Sequence, residues 1–172
     1  IFGACPTGAF VAPRVVDARK CIPYLTIEQW QPIPPSVRVA PWAFGCDVCQ
    51  EVCPWNRRAR PTARPEFAPR PELAEPDVRS WVFLDGPGFR ARFGDTALAR
   101  PGRRGLARNA LAVLRETGLD PSLRDRALAD PSALVRDQAR GFTVPRQKKP
   151  RPQSGGSPGG PARGGSAASP TA

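Results

Sequence analysis

The 172-residue sequence contains no methionine, no histidine and only one tyrosine. Without histidine, imidazole acid–base catalysis and histidine ligation of metals are excluded for these residues. Acidic residues are scarce, 15 against 26 lysines and arginines, and the resulting net charge of +11 favours a polyanionic partner. No run is long and apolar enough to cross a bilayer, so we expect a cytoplasmic, monomeric protein without membrane contacts. The missing methionine leads us to expect a truncated or processed product.

The cysteines carry the most specific pattern. Residues 45–56 read GCDVCQEVCPWN, with two residues between Cys46 and Cys49, three between Cys49 and Cys53, and Pro54 directly after. This is the closing half of the C-x2-C-x2-C-x3-C-P run of bacterial ferredoxins. The last cysteine of that run ligates the other cluster in two-cluster ferredoxins. The spacing therefore predicts an iron–sulfur site.

The two other cysteines lie upstream. Cys5 shares the cysteine–proline ending, and Cys21 lies between Cys5 and the cluster motif. If each cysteine–proline residue serves the opposite cluster, four thiolates complete one [4Fe–4S] site: Cys5, Cys21, Cys46 and Cys49. Cys53 then serves as the fourth ligand of another cluster, whose remaining ligands we expect just upstream of Cys5, outside this sequence.

A structural zinc site could use the same four thiols, and a lone C-x2-C pair would favour zinc. Two cysteine–proline endings favour iron–sulfur instead. Disulfides would leave an odd thiol, and no signal peptide indicates an oxidising compartment.

Around the cysteines we predict an α+β organisation. Residues 9–11 and 15–17 are expected to form a small hairpin, and Asp17 to cap a helical turn that leads to Cys21. Four aromatic residues flank the cysteines and are predicted to wall off the cluster from water: Trp30, Trp42, Phe44 and Trp55. The proline- and arginine-rich residues 57–76 are expected to be an extended linker.

The following part is predicted to be helical. Short helices are expected at 77–84 and 88–93, with core candidates Trp81, Phe83, Leu84, Phe89 and Phe93. The best helix covers 103–117, with an apolar stripe of Leu106, Ala110, Val113 and Leu114. Helices at 122–129 and 132–140 follow, each after an Asp-Pro-Ser sequence, and the paired arrangement is typical of HEAT-type repeats.

The predicted division of the chain is therefore a ferredoxin-type half-domain (1–56), a linker (57–76), a small α-helical HEAT-like module (77–140) and a disordered basic tail (141–172). The tail carries five of the eleven net positive charges among proline, glycine, serine and alanine.

Taken in order, four segments resemble epoxyqueuosine reductase, the cobalamin-dependent iron–sulfur enzyme family of queuosine biosynthesis: CPTGA, DARKCIPYLT, GCDVCQEVCPWN and RARFGDTALARPGRRGLARNALAVL. The resemblance covers about residues 4–140. It implies [4Fe–4S] clusters that feed electrons to cobalamin, which reduces epoxyqueuosine to queuosine at the wobble position of tRNA. It also implies a C-terminal HEAT-like module that holds the tRNA, and an external electron donor.

The resemblance also implies roles for single residues. Cys5, Cys21, Cys46 and Cys49 match the ligands of one cluster, and Cys53 matches the fourth ligand of the other. Residues matching the corrinoid-facing part are Tyr24, Thr26, Gly45 and Asp47. Residues placed to contact a tRNA backbone are Arg103, Arg104 and Arg108, although Arg108 and Asn109 equally suit packing within the helix. The family's catalytic domain with its proton donor is expected upstream, so we expect this chain alone to be inactive.

Two further hypotheses stay open from the sequence. The chain could be a stand-alone ferredoxin-like electron-transfer protein, or a basic RNA-binding scaffold in which the cysteines hold zinc.

Overall fold

The computed structural model describes residues 2–68, 70–74, 76–118 and 120–141. The predicted disordered tail beyond Gly141 lies outside these residues. The strands are β1 (Phe10–Ala12) and β2 (Val15–Val16). The helices are α1 (Val48–Glu51), α2 (Pro71–Ala74), α3 (Ser80–Phe83), α4 (Gly86–Phe93), α5 (Gly102–Thr117), α6 (Pro121–Leu128) and α7 (Ala133–Arg140). No helix in this described part is long and apolar enough to span a membrane.

The two strands form the hairpin that the sequence predicts, within one or two residues of the expected bounds. They pair antiparallel, with Phe10 opposite Val16 and Ala12 opposite Val15. Arg14, in the turn, adopts a left-handed φ of 63°. The hairpin therefore returns the chain toward the cysteines within a few residues.

The predicted cap after the hairpin is also present. The Asp17 carboxylate accepts a hydrogen bond from the amide of Arg19 at 3.1 Å and caps the 3₁₀ turn Ala18–Lys20. This turn ends directly before Cys21. A wide π-helical turn, Tyr24–Glu28, comes next and closes when the amide of Gln29 donates to the carbonyl of Tyr24 at 2.9 Å.

Helix α5 is the centre of the helical part, and it packs against α3, α4 and α7. Its predicted apolar stripe is buried, as are all ten residues from 105 to 114. The helices predicted at 88–93, 103–117, 122–129 and 132–140 are confirmed to within two residues, whereas the one expected at 77–84 is only Ser80–Phe83. One core prediction is wrong: Phe83 lies exposed at the end of α3, because Trp81 and Val82 occupy its inner side.

A continuous hydrophobic core joins the cysteine-bearing residues to the helices. Ile22, Ile33 and Val39 from the first part pack in the same cluster as Leu111 and Val135 from α5 and α7. The segment between these parts is less extended than expected. It contains 3₁₀ turns at Asn56–Arg58 and Pro65–Phe67, and α2 begins with a proline in the first helical position, where no amide is needed.

Candidate iron–sulfur site

Four cysteines from three separate segments line one cavity of about 210 Å³. They are Cys5, Cys21, Cys46 and Cys49, the same four that the crossover pattern groups together. All five cysteines of the chain are free thiols. Four thiolates from cysteines at ferredoxin spacing are the ligands of a [4Fe–4S] cluster. The four cysteine sulfurs at this cavity therefore fit such a cluster.

Cys5 is held by the turn that enters the hairpin. The amide of Gly8 donates to the carbonyl of Cys5 at 3.2 Å, and Gly8 has the left-handed φ of 60° that suits glycine. The amide of Ala9 points at the Cys5 sulfur at 3.3 Å, and the Thr7 hydroxyl lies 3.7 Å from it. Hydrogen bonds of this kind to cluster sulfurs are one of the ways a protein sets a cluster's reduction potential.

Cys46 and Cys49 are presented by a sharp turn and the short helix α1. Gly45 has a φ of 69°, which a residue with a side chain adopts only with strain, so the turn before Cys46 requires glycine. The amides of Gln50 and Glu51 then donate to the carbonyl of Asp47 and begin α1. This geometry places two cysteines three residues apart on the same side of the cavity.

The pKa shifts of the thiols and the repulsion between their thiolates favour the binding of a cation. Burial raises the pKa of Cys21 and of Cys46, and the neighbouring Cys5 and Cys49 thiolates raise both further. Burial alone would also raise the pKa of Cys5, but the hydrogen bonds from the backbone of Ala9 and from Thr7 outweigh it and lower that pKa. Bound metal would replace the protons and relieve the repulsion between thiolates.

Cys53 lies apart from this group. It follows the end of α1, where its amide donates to the carbonyl of Gln50 at 3.2 Å, and it is not among the residues that line the cavity. Within the described residues, no three His, Cys, Asp or Glu side chains gather closely enough to hold a single metal ion.

The wall of the cavity is apolar, but it is not the wall that the sequence predicts. Small and aliphatic residues supply it, with one aromatic ring: Ala9, Phe10, Val16, Ile22, Pro23 and Val48. Trp55 is 91% exposed and Trp30 51% exposed, while Trp42 and Phe44 line a different cavity with Trp81 and Leu98. The hairpin and the turn that carries Cys21 meet at the cavity only in the folded chain. The residues that line it therefore cannot be found by looking for aromatic residues near the cysteines in the sequence.

Of the four residues predicted to face a corrinoid, two are exposed, Gly45 is half-buried and Thr26 is buried. Tyr24 and Asp47 are exposed beside the cysteine segments, so their side chains are available to a bound group. Thr26 is fully buried, and its hydroxyl has two internal partners, the carbonyl of Ile22 at 2.8 Å and the amide of Gly45 at 3.1 Å. The side chain of Thr26 is therefore committed to holding the fold of the site.

The three arginines predicted to contact tRNA lie in three environments. Arg108 is 0% exposed and donates to the carbonyls of Leu25 and Gln29 at 2.8 and 2.7 Å, so the prediction of a phosphate contact at Arg108 is wrong. Arg103 is bound by the Asp130 carboxylate through two bonds of 2.8 Å. Arg104 is exposed, and its guanidinium lies 5.1 Å from the centre of the Trp30 ring.

Arg104 and Trp30 stand at the edge of an open groove. The groove is about 720 Å³ and is completed by Gly102, Arg103 and residues 131–134 at the start of α7. An exposed indole beside an exposed guanidinium is the kind of surface to which nucleic acids bind through stacking and phosphate contacts. The sequence gives no sign that Trp30 lies beside Arg104, because the two residues are 74 positions apart.

Comparisons with known proteins agree with this geometry. A family model described as a 4Fe-4S double cluster binding domain matches residues 2–56. An epoxyqueuosine reductase from Cellulophaga algicola is 45% identical over 108 residues, which are 62% of this chain and 35% of the relative. One from Alicycliphilus denitrificans is 40% identical over 146 residues, 77% of this chain and 40% of the relative. The chain belongs to the epoxyqueuosine reductase family.

Solved structures of the family show the same fold. The structure of epoxyqueuosine reductase from Bacillus subtilis superposes with a TM-score of 0.69 and 31% identity, over 80% of this chain and 38% of that one. A crystal structure of an epoxyqueuosine reductase with an epoxyqueuosine-modified tRNA-Tyr stem loop gives the same TM-score at 30% identity. The chain thus spans well under half the length of the epoxyqueuosine reductases it matches.

Proposed function

We propose that the chain is the cluster-bearing part of an epoxyqueuosine reductase, which reduces epoxyqueuosine to queuosine in tRNA. The observation that carries the proposal is the meeting of Cys5, Cys21, Cys46 and Cys49 on one apolar cavity, in a chain related to this enzyme family. Removal of an epoxide oxygen as water takes two electrons and two protons. The role of this part of the protein is to hold the group through which those electrons pass, with an external donor as their source.

The ligands divide between two clusters. Cys5, Cys21, Cys46 and Cys49 hold one [4Fe–4S] cluster, and the apolar cavity wall keeps water from it. Cys53, directed elsewhere by the end of α1, is the outlying ligand of the other cluster. The amide of Ala9 and the hydroxyl of Thr7 stabilise the Cys5 thiolate and so favour the ligated form.

A bound corrinoid would supply the redox-active metal centre for the reduction of the epoxide. The residues of this chain placed to border it are Tyr24 and Asp47, which are exposed next to the Cys21 and Cys46 segments. Gly45 contributes only backbone to that edge. Thr26 acts from within by fixing the position of the Gly45 amide.

The tRNA contact that we propose centres on Arg104 and Trp30 at the open groove. Arg103 borders the same groove, but its charge is neutralised by Asp130, so it contributes hydrogen-bond donors rather than net charge. The crystallised relative with a modified tRNA stem loop supports tRNA as the class of partner.

The experiment is anaerobic reconstitution of the chain with iron and sulfide, followed by iron and acid-labile sulfide analysis. We expect close to four irons per chain, the content of one cubane. Cys53→Ser should leave that content unchanged, whereas Cys5→Ser or Cys21→Ser should lower it to about half or less, because a three-thiolate site loses iron readily.

Cys53→Ser is the matched control, since it removes a thiol outside the cavity. Iron loss in Cys53→Ser but not in Cys5→Ser would overturn the ligand assignment. One zinc per chain without labile sulfide would replace the proposal by the zinc-scaffold hypothesis. A cluster-bearing chain without preference for tRNA over other polyanions would favour a generic electron-transfer protein.

A further inference from the structure

The helical part of the protein is tied to the cluster site by one buried set of hydrogen bonds. The Thr26 hydroxyl donates to the carbonyl of Ile22 at 2.8 Å and accepts from the amide of Gly45 at 3.1 Å. Ile22 directly follows Cys21, and Gly45 directly precedes Cys46. One hydroxyl therefore bridges the segments of two of the four cysteines that line the cavity.

Helix α5 holds the other side of the same residue. The side-chain amide of Asn109 donates to the carbonyl of Thr26 at 2.6 Å, and Asn109 is fully buried. Asn109 is in turn oriented by Arg108, whose Nε and Nη2 donate to its Oδ1 at 3.0 and 2.8 Å. Arg108 also donates to the carbonyl of Leu25, so two adjacent carbonyls of the π-helical turn are fixed by two adjacent residues of α5.

We infer that Asn109 and Thr26 are positioning residues for the cluster: through them, α5 sets where the Cys21 and Cys46 thiolates stand. The inference rests on the proposed cluster and adds that α5, through Asn109, which is 83 positions from Thr26 in the sequence, determines the cluster's stability and reduction potential. We call this set of bonds, from Asn109 through Thr26 to Ile22 and Gly45, the Thr26 link.

The physical reason is that both anchored segments are short and directly joined to ligands. Gly45 has a left-handed φ of 69° and no Cβ, so its own backbone is flexible and the hydrogen bond from its amide to the Thr26 hydroxyl helps to restrain it. If that hydrogen bond is lost, the turn before Cys46 gains freedom and the part-buried amide of Gly45 loses a partner. Loss of the groups that orient metal ligands typically lowers metal affinity by about 10- to 100-fold.

The test uses the reconstituted 172-residue chain and the isosteric variant Thr26→Val, which keeps the shape and removes the hydroxyl. We expect iron loss to a chelator to become roughly 10-fold faster or more. We also expect the reduction potential and the electron paramagnetic resonance spectrum of the reduced cluster to shift. Thr26→Ser retains the hydroxyl and should return all three properties toward the wild type.

A second variant, Asn109→Asp, removes the donor to Thr26 but keeps an acceptor for Arg108. It should shift the potential in the same direction as Thr26→Val, and it provides the answer if Thr26→Val fails to fold.

The matched control is Gln138→Leu. Gln138 on α7 also bonds the first part of the chain, where its Oε1 accepts from the amide of Ile33 at 2.7 Å, but Ile33 adjoins no cysteine. Gln138→Leu should lower thermal stability and leave the potential and spectrum unchanged. Equal effects of Gln138→Leu and Thr26→Val on the cluster, or no effect of Thr26→Val and Asn109→Asp, would overturn the inference. A wild-type chain that takes up no cluster would instead overturn the proposed function.

Discussion

Arginines with identical chemistry serve different purposes on α5 because they point in different directions from it. Among the residues that the structure describes, no carboxylate pairs with the buried Arg108, and burial lowers its pKa to about 10, so it is still a cation at neutral pH. Backbone carbonyl oxygens around the guanidinium accept its hydrogen bonds and so compensate for its burial. Only an arginine could do this, because its planar fork reaches several acceptors at once, whereas lysine concentrates its charge at one point.

Asp130 shows the opposite case, a carboxylate that is 8% exposed and fully paired. Burial alone would raise the pKa of Asp130, but the hydrogen bonds from Arg103 and from the amide of Ser132 outweigh it and hold the pKa below its ordinary value. The stabilisation from this depressed pKa is fully present above about pH 4, the unfolded value, and is lost as the pH falls through the folded value.

We therefore predict that Asp130→Asn lowers the free energy of unfolding by about 1.5–3 kcal/mol at neutral pH, the usual range for hydrogen bonds to charged groups. The difference from the wild type should shrink as the pH falls below about 4. Urea unfolding across this pH range measures it, and any acid loss of a cluster cancels between the two proteins. Asp125→Asn, at an exposed position of α6, should change little; a pH-independent deficit in Asp130→Asn would contradict the linkage argument.

At the scale of elements, α5 serves as the axis of the fold. The middle of α5 bonds the π-helical turn through Arg108 and Asn109, and its C-terminal end bonds residues 39–40 through Glu116, whose Oε1 accepts from the amide of Val39 at 2.7 Å. The helix thus holds two separate loops of the cysteine-bearing part. Its stability and the geometry of those loops are coupled.

Arg108→Met tests that coupling. The substitution leaves several buried carbonyls without a donor, so we expect the free energy of unfolding to fall by about 3 kcal/mol or more. Denaturant unfolding gives the value. Arg90→Met, at an exposed position of α4, removes the same side chain and should cost little. Similar costs for both variants would mean that the buried bonds of Arg108 do not hold the two parts together.

How much of these elements could be predicted depends on the range of the interactions that create them. The apolar stripe of α5 and the Asp17 cap arise from neighbouring residues, and the sequence predicts both. The grouping of Cys5 and Cys21 with Cys46 and Cys49 was also predicted, because ferredoxin spacing fixes which thiols can share a cluster. The sequence left a packing role open for Arg108, but neither the partners of Arg108 nor the burial of Thr26 could be predicted, because the bonds that make them join residues 83 positions apart.

At the scale of the whole molecule, one hydrophobic core extends across the predicted domain boundaries. Residues 57–76 were expected to separate two small units, yet the residues on either side of them pack in one hydrophobic cluster. The cysteine-lined cavity and the open groove therefore lie on one body. For the function that we propose, this keeps electron transfer and tRNA binding in a fixed relative geometry.

Positive charge in the tail and at the groove bears on tRNA binding in two separate ways. Five of the eleven net charges lie in the tail beyond Gly141, outside the described structure, and Arg104 stands exposed at the groove. Phosphate contacts release counterions, so each one adds about 0.7–0.9 to the slope of log affinity against log salt concentration. Tail and groove should therefore contribute separately, the tail through charge alone and the groove through charge with stacking on Trp30.

We predict that deletion of residues 141–172 reduces the salt slope of tRNA binding without changing the preference for tRNA that carries epoxyqueuosine. Replacement of the five tail cations by glutamine, at unchanged length, should have the same effect, because the contribution is electrostatic.

Trp30→Ala should instead weaken binding by about 1–3 kcal/mol with little change in slope, since stacking on an aromatic ring involves no counterion release. Binding isotherms at several salt concentrations separate these effects. If deletion of the tail abolished discrimination between modified and unmodified tRNA, recognition would reside in the tail and the groove would lose its proposed role.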